Sequence, residues 1–207
     1  MKLARLSICA TVVCLSACGG MDYAGRTATL SYSGNGSVAV GAWDQRPYVL
    51  DNDKSPDFVG LQRNLYGIPF NVKTASGRPL ADEMGDALAA SLLTAAYNAQ
   101  VVRLAPQDTL ASARARLLAQ HPRRALLLRI DQWESDTNRN PTVKYDLSLI
   151  AFDAAGRTLG TRRVRGEENV EGRFLAPAGL AKQTVPAVFT QKLDQLLNAP
   201  QIEAALR

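Results

Sequence analysis

The chain has 207 residues, 46% hydrophobic and 21% charged, values ordinary for a globular protein that exclude a largely disordered chain. Its formal charge of +5 falls to +3 once Lys2 and Arg5 leave with a cleaved leader, leaving 22 basic against 19 acidic side chains. So small a balance gives no support to nucleic-acid binding.

The leader comes first in chain order. A basic start at Met1, Lys2 and Arg5 precedes a largely apolar run of twelve residues, Leu6–Ala17. As a helix that run reaches about 18 Å, too short for the ~30 Å hydrocarbon core of a bilayer, and small residues precede the expected cut. Leu15-Ser16-Ala17-Cys18 resembles a bacterial lipobox, which implies cleavage before Cys18 and lipidation of its thiol and new amino group. Cys9 and Cys14 lie in the discarded run, so Cys18 is the sole cysteine left in 190 residues. An internal disulfide, a thiol nucleophile and a cysteine-based metal site are excluded with it. By analogy with the proteobacterial sorting pattern, Gly19 in place of Asp implies the outer membrane, with the domain in the periplasm.

Residues 18–26 read as a lipidated polar tether and 27–207 as one domain. Thr27–Tyr32 alternates like a strand, Ser33–Gly36 is a turn, and Ser37–Ala42 is a second strand. Residues 44–76 form an excursion broken by Pro47, Pro56 and Pro69, too long to lack structure. Within it Phe58–Gln62 can pair with Ile68–Lys73 around a turn at Asn64–Gly67. Helical spacing starts after Gly77, with Leu80, Met84, Leu88 and Leu92 on one stripe. A short strand is expected at Gln100–Leu104, then a helix from an Asp108 N-cap to Gln120, ended by His121-Pro122. Ala125–Ile130 reads as a buried strand, Thr142–Phe152 as the longest strand, and Arg157–Gly166 as its hairpin partner across Asp153–Gly156. A helix over 178–198 contains Pro186, which should kink it or mark its start, and Gln201–Leu206 is a terminal helical turn. This order indicates an α+β fold, a mixed and largely antiparallel sheet with two or three packed helices.

The chain resembles the YajG-type bacterial envelope lipoproteins. The likeness is carried by the lipobox, by Val38-Ala39-Val40-Gly41 leading to Asp44 and Arg46-Pro47-Tyr48-Val49, by the Tyr145–Phe152 strand with its hairpin, and by Asn169-Val170-Glu171-Gly172. It implies a fold like the N-terminal domain of TolB, found in envelope accessory lipoproteins. It carries over no catalytic residues, and a fold does not fix a function.

Candidate chemistry is sparse. His121, the lone histidine, stands at a helix end rather than beside a nucleophile. Asp51, Asn52, Asp53, Ser55 and Asp57 superficially suggest a calcium loop, but the glycine and glutamate positions of an EF-hand hold Pro56 and Gln62. Glu167, Glu168 and Glu171 could pair for glycan hydrolysis, or simply be a solvated strand end. Arg157, Arg162, Arg163 and Arg165 suit lipid or phosphate groups, or else protect an edge strand. Trp43, Arg46, Tyr48, Phe58, Leu61, Tyr66 and Phe70 are residue types of partner-contact hot spots, or else a satellite core of the excursion. No cofactor or metal is indicated. The expected function is an outer-membrane-anchored, non-enzymatic binding or assembly accessory with an envelope protein partner. A lipid- or glycan-binding module using 157–165 is the alternative, and a hydrolase ranks below both. The sequence gives no sign of the oligomeric state.

Overall fold

A computed structural model describes residues 20–138, 140–170 and 177–207, with only the backbone at 177–180. The lipobox, Cys18, Gly19 and Glu171-Gly172 lie outside the described residues. The fold is α+β, built on one seven-stranded mixed sheet.

The sheet is organised by β5 (Arg124–Thr137). One edge pairs along its whole length with antiparallel β6 (Pro141–Asp153), which pairs in turn with antiparallel β7 (Thr158–Asn169). Two strands share the other edge end to end, both parallel to β5. These are β1 (Ser37–Asp44) against Val38–Asp44's partners Arg124–Ile130, and β2 (Phe58–Arg63) at Ser135–Thr137. The outer strands are β4 (Asn98–Val101), parallel to β1, and β3 (Pro69–Lys73), antiparallel to β2. A bulge between Ile130 and Gln132 shifts the alternation, so Leu126, Leu128, Ile130 and Trp133 all face one core.

That core is covered by α2 (Leu80–Thr94), α4 (Pro177–Leu197) and α5 (Pro200–Leu206). The stripe Leu80, Met84, Leu88 and Leu92 is fully buried, as the helical spacing requires. On the opposite face α3 (Leu110–Leu118) places Ala113 and Leu117 on Ala39, Trp43, Ala125, Leu127 and Phe152. The excursion begins with a one-turn helix, α1 (Pro47–Leu50), and then forms the expected β2–β3 hairpin.

Several expectations change. Thr27–Tyr32 pairs with no strand; its backbone is held instead by side chains, Ala28 N–H donating to Ser91 Oγ at 2.9 Å and Thr29 N–H to Asp194 Oδ1 at 2.7 Å. The strand placed at Gln100–Leu104 lies at Asn98–Val101. Thr109, not Asp108, caps α3, forming a reciprocal capping box with Ser112. Pro186 is carried within α4. Residues 20–26 are no free tether: Met21 and Tyr23 are buried, and Tyr23 N–H donates to the buried Glu83 carboxylate at 2.9 Å. The Tyr23 ring meets Trp133 and Phe189 edge-on at 5.9 Å each, and Trp133 Nε1–H donates to its hydroxyl at 2.9 Å.

Candidate functional site

Because β1 and β2 occupy the same edge of β5, the chain must leave that edge after Asp44 and rejoin it near Gly60. Arg46 holds this detour closed. Its Nε and Nη2 donate to the two Asp44 carboxylate oxygens at 2.8 and 2.6 Å, and Nη1 donates to Phe58 O at 2.6 Å. Nη2 also reaches Pro56 O at 3.0 Å. The guanidinium is 0% exposed, so one side chain links the end of β1 to the start of β2. Tyr48 packs edge-on against Phe58 at 5.5 Å, and its hydroxyl donates to Trp133 O at 2.8 Å. Burial raises this phenol to about 12.

Beyond the detour the hairpin projects from the sheet edge. Arg63 forms a two-pronged pair with Asp136 of β5, at 2.9 and 2.6 Å, which fixes the far end of β2. Asn64 organises the turn, its side-chain oxygen accepting the N–H groups of Tyr66 at 2.9 Å and Ile68 at 3.0 Å. Gly67 supplies the positive φ of +79°. The result is a tip on which Leu65 is 102% exposed, Tyr66 87%, Phe70 57% and Ile68 53%. A groove of about 490 Å³ follows β3 from this tip, lined by Gln62, Phe70, Val72, Thr74, Ser76 and Gly20.

The seven contact candidates therefore separate. Trp43, Arg46 and Phe58 are buried and belong to the supporting core, which corrects the contact reading for them. Tyr48 and Leu61 are half-buried shoulders, and only Tyr66 and Phe70 are exposed at the tip. Leu65 and Ile68, the other two tip residues, are absent from that candidate set. The signal for them was available in the uncharged run Leu65–Phe70 around a turn, since a turn tip has no core to enter.

The four arginines of the basic strand are not gathered into one patch. Arg157 pairs with Asp153 at 2.7 Å in the β6–β7 turn. Arg163 pairs with Asp146 at 2.6 and 2.5 Å, and Arg165 approaches the same carboxylate at 3.6 Å. Arg162 lies on the opposite face of β7, opposite Leu149. Arg123 and Arg124 donate to the last carbonyls of α5, Arg207 O at 3.1 Å and Ala205 O at 2.6 Å.

The other candidates are dispersed as well. His121 is an exposed residue with φ +50° just past α3. Asp51 and Asp53 are exposed, whereas Asp57 pairs with Lys73 at 3.0 Å and accepts from Ser55 Oγ. Glu167 is exposed, and Glu168 is bound by Tyr145 and the buried Lys192. Glu171 lies outside the described residues. Among the described residues no three His, Cys, Asp or Glu side chains converge as metal ligands, and no helix is long and apolar enough to cross a membrane.

No family model matches the chain, and no curated protein does. Solved structures are similar in path. A Xanthomonas campestris protein of the DUF330 family shares 13% identity over 87% of this chain and 91% of its own, with a TM-score of 0.47. PelC from Paraburkholderia phytofirmans, crystallised as a dodecamer, shares 12% over 83% and 91%, at 0.45. The Neisseria meningitidis lipoprotein GNA1162 shares 14% over 76% and 97%, at 0.31. With every score below one half, the functional reading rests on this chain's own residues.

Proposed function

We propose that this protein is a non-enzymatic binding or assembly accessory of the bacterial envelope, akin to the YajG-type lipoproteins and their TolB-like fold. It is held at the outer membrane through lipidated Cys18, with its domain in the periplasm, and it works by contact. The observation that carries this reading is the apolar hairpin tip, Leu65, Tyr66, Ile68 and Phe70, exposed on a base that Arg46 and Arg63 hold in place. Isolated exposed apolar side chains need no explanation, but a cluster on a stiff projection marks an interaction site. The alternative, a lipid or glycan site on the basic strand, is weaker because Arg157, Arg163 and Arg165 already have carboxylate partners and Arg162 lies on the other face.

Site-specific photo-crosslinking in intact envelopes tests the reading. A crosslinker at position 66 should give a defined adduct with an envelope component, and Cys18→Ala should abolish it. The same group at position 159, on the basic strand, should give none. Adducts at 159 or 162 with none at 66 would overturn the tip as the contact surface and favour the basic strand.

A further inference from the structure

The tip and the first described residues of the chain, Gly20 and Met21, meet the same hairpin. Met21 forms a parallel bridge to Thr74, its N–H donating to Lys73 O at 3.0 Å and its carbonyl accepting from Ala75 N–H at 2.8 Å. Gly20 lies so close to Ala75 that a Cβ on it would stand 2.4 Å from the Ala75 Cα. Cys18 precedes Gly20 by two residues in the sequence, and two residues of chain span at most about 7 Å. From there β3 leads to the tip in about 17 Å, along the groove lined by Gly20 at one end and Phe70 at the other. A lipid on Cys18 would be separated from the domain by so little chain that the surface around this hairpin would be brought against the bilayer.

The tip has the chemistry that a bilayer requires. Residues 64–70, Asn-Leu-Tyr-Gly-Ile-Pro-Phe, carry no charge; charge resumes only at Arg63 and Lys73. Leu65 and Tyr66 are almost wholly uncovered, so the tip is a wedge with no sheltered side rather than a flat patch with a polar rim. Four of the eight exposed large hydrophobic residues among those described are gathered here. Polar backbone groups without partners are costly in lipid, and the turn has few. The N–H groups of Asn64, Tyr66, Gly67 and Ile68 are bonded within it, and Pro69 has none. Pro69 also removes a donor from the sheet edge, which disfavours pairing with a second copy. Tyrosine is enriched where hydrocarbon meets headgroups.

We infer that the β2–β3 tip is a membrane wedge. Leu65, Tyr66, Ile68 and Phe70 enter the interfacial layer of the leaflet that holds the acyl chains of Cys18. This rests on the anchored-accessory reading and names the partner of its contact surface. Two attachments about one hairpin apart hold the domain in one orientation, so its remaining faces are presented at a fixed angle to the membrane.

The test uses the lipidated protein reconstituted in vesicles of phosphatidylethanolamine with a minority of phosphatidylglycerol, made with brominated acyl chains. A Tyr66→Trp variant should show emission shifted to the blue, quenched by the bromines and shielded from aqueous iodide. A Leu159→Trp variant should be open to iodide and unaffected by bromine, with the unsubstituted protein giving the background of Trp43 and Trp133. Both positions are exposed, so the variants should melt as the parent does, which circular dichroism checks. Emission at 66 that iodide quenches and bromine does not overturns the wedge. If crosslinking at 66 then captures a protein, the accessory reading survives with a protein partner; if it captures nothing, both fall.

Discussion

At the base of the excursion Trp43, Arg46 and Phe58 are packed out of water, and at its tip Leu65, Tyr66, Ile68 and Phe70 stand in it. The two regions draw on similar residue types, aromatic and apolar groups with an arginine at each end. Their surroundings differ. The base lies where two strands share one edge of β5, and the gap must be filled and its carbonyls bonded. The tip lies beyond the last pairing with β5 at Thr137, where nothing remains to pack against. Aromatic residues near arginine are thus equally suited to close a fold and to extend from it, and topology decides between them.

The sharpest break of that comparison is Arg46→Met. It leaves the buried Asp44 carboxylate unpaired and takes the Arg46 donor from Phe58 O and from Pro56 O, the latter keeping only the Leu80 N–H at 3.0 Å. Removing one partner of a buried pair costs about 3–5 kcal/mol. Urea unfolding should show that loss as a lower midpoint with the slope unchanged. A cost below about 1 kcal/mol, the range of an exposed pair, would mean the base is not held as described.

Two glycines put base and tip side by side. At Gly60, φ is +155° and an added Cβ would lie 2.2 Å from both Ser135 O and its Oγ. At Gly67, φ is +79° and nothing lies within 4 Å. Gly67→Ala should therefore cost only the backbone strain, about 1 kcal/mol. Gly60→Ala should cost that and a further ~1–3 kcal/mol for displaced β5 backbone. Equal melting temperatures for the two variants would remove the distinction.

Much of this architecture was legible. The spacing of Leu80, Met84, Leu88 and Leu92 specified α2, and the uncharged turn Asn64–Gly67 between β-rich runs specified the hairpin. The failures have physical causes. The bulge at Asp131 breaks the alternation of β5, so the alternation alone ends the strand at Ile130 and leaves Trp133 outside the core. Met21 and Tyr23 are two apolar residues among polar ones, too few for a period, and only their docking on Glu83 and Trp133 makes them core. Arg46 reads as a surface residue because its partner Asp44, two positions away, gains meaning only once β1 ends there. At the candidate site, residue type was visible and exposure was not, since exposure depends on which strand edge the hairpin joins.

Arg63 offers a smaller break. Its pair with Asp136 is partly solvated, with side-chain exposures of 33% and 40%. Arg63→Ala should lower the melting temperature only slightly, as loss of a solvated pair does, and far less than Arg46→Met. It should also loosen the tip, because Arg63 Nη1 reaches Gly67 O at 3.3 Å. Hydrogen exchange at Tyr66 and Ile68 should accelerate while that of β5 and β6 is unchanged. Uniform acceleration across the sheet would show that Arg63 supports the fold rather than the tip.

The smallest effect concerns the point where the base passes into β3. Burial alone would raise the Asp57 carboxyl, but the bonds from Ser55 and Lys73 and the Lys73 charge outweigh it and hold the group below the usual carboxylate range. Unfolding then takes up a proton at Asp57 when the pH falls through the carboxylate range. Its contribution is complete above the ordinary carboxyl value and is lost as the pH drops through and below it. Lys73 is half exposed, so the contribution is a few tenths of a kcal/mol. Asp108 and Asp153 are also held low, by Ala105, Ser112 and Arg116 and by Arg157, so the parent should lose stability in acid with or without Asp57. The informative quantity is the difference between parent and Asp57→Asn in melting curves across that range. It should be present at neutral pH and vanish in acid, because the protonated parent and the variant carry the same charge there. A difference that persists unchanged into acid would mean that Asp57 acts by packing and not by its charge on Lys73.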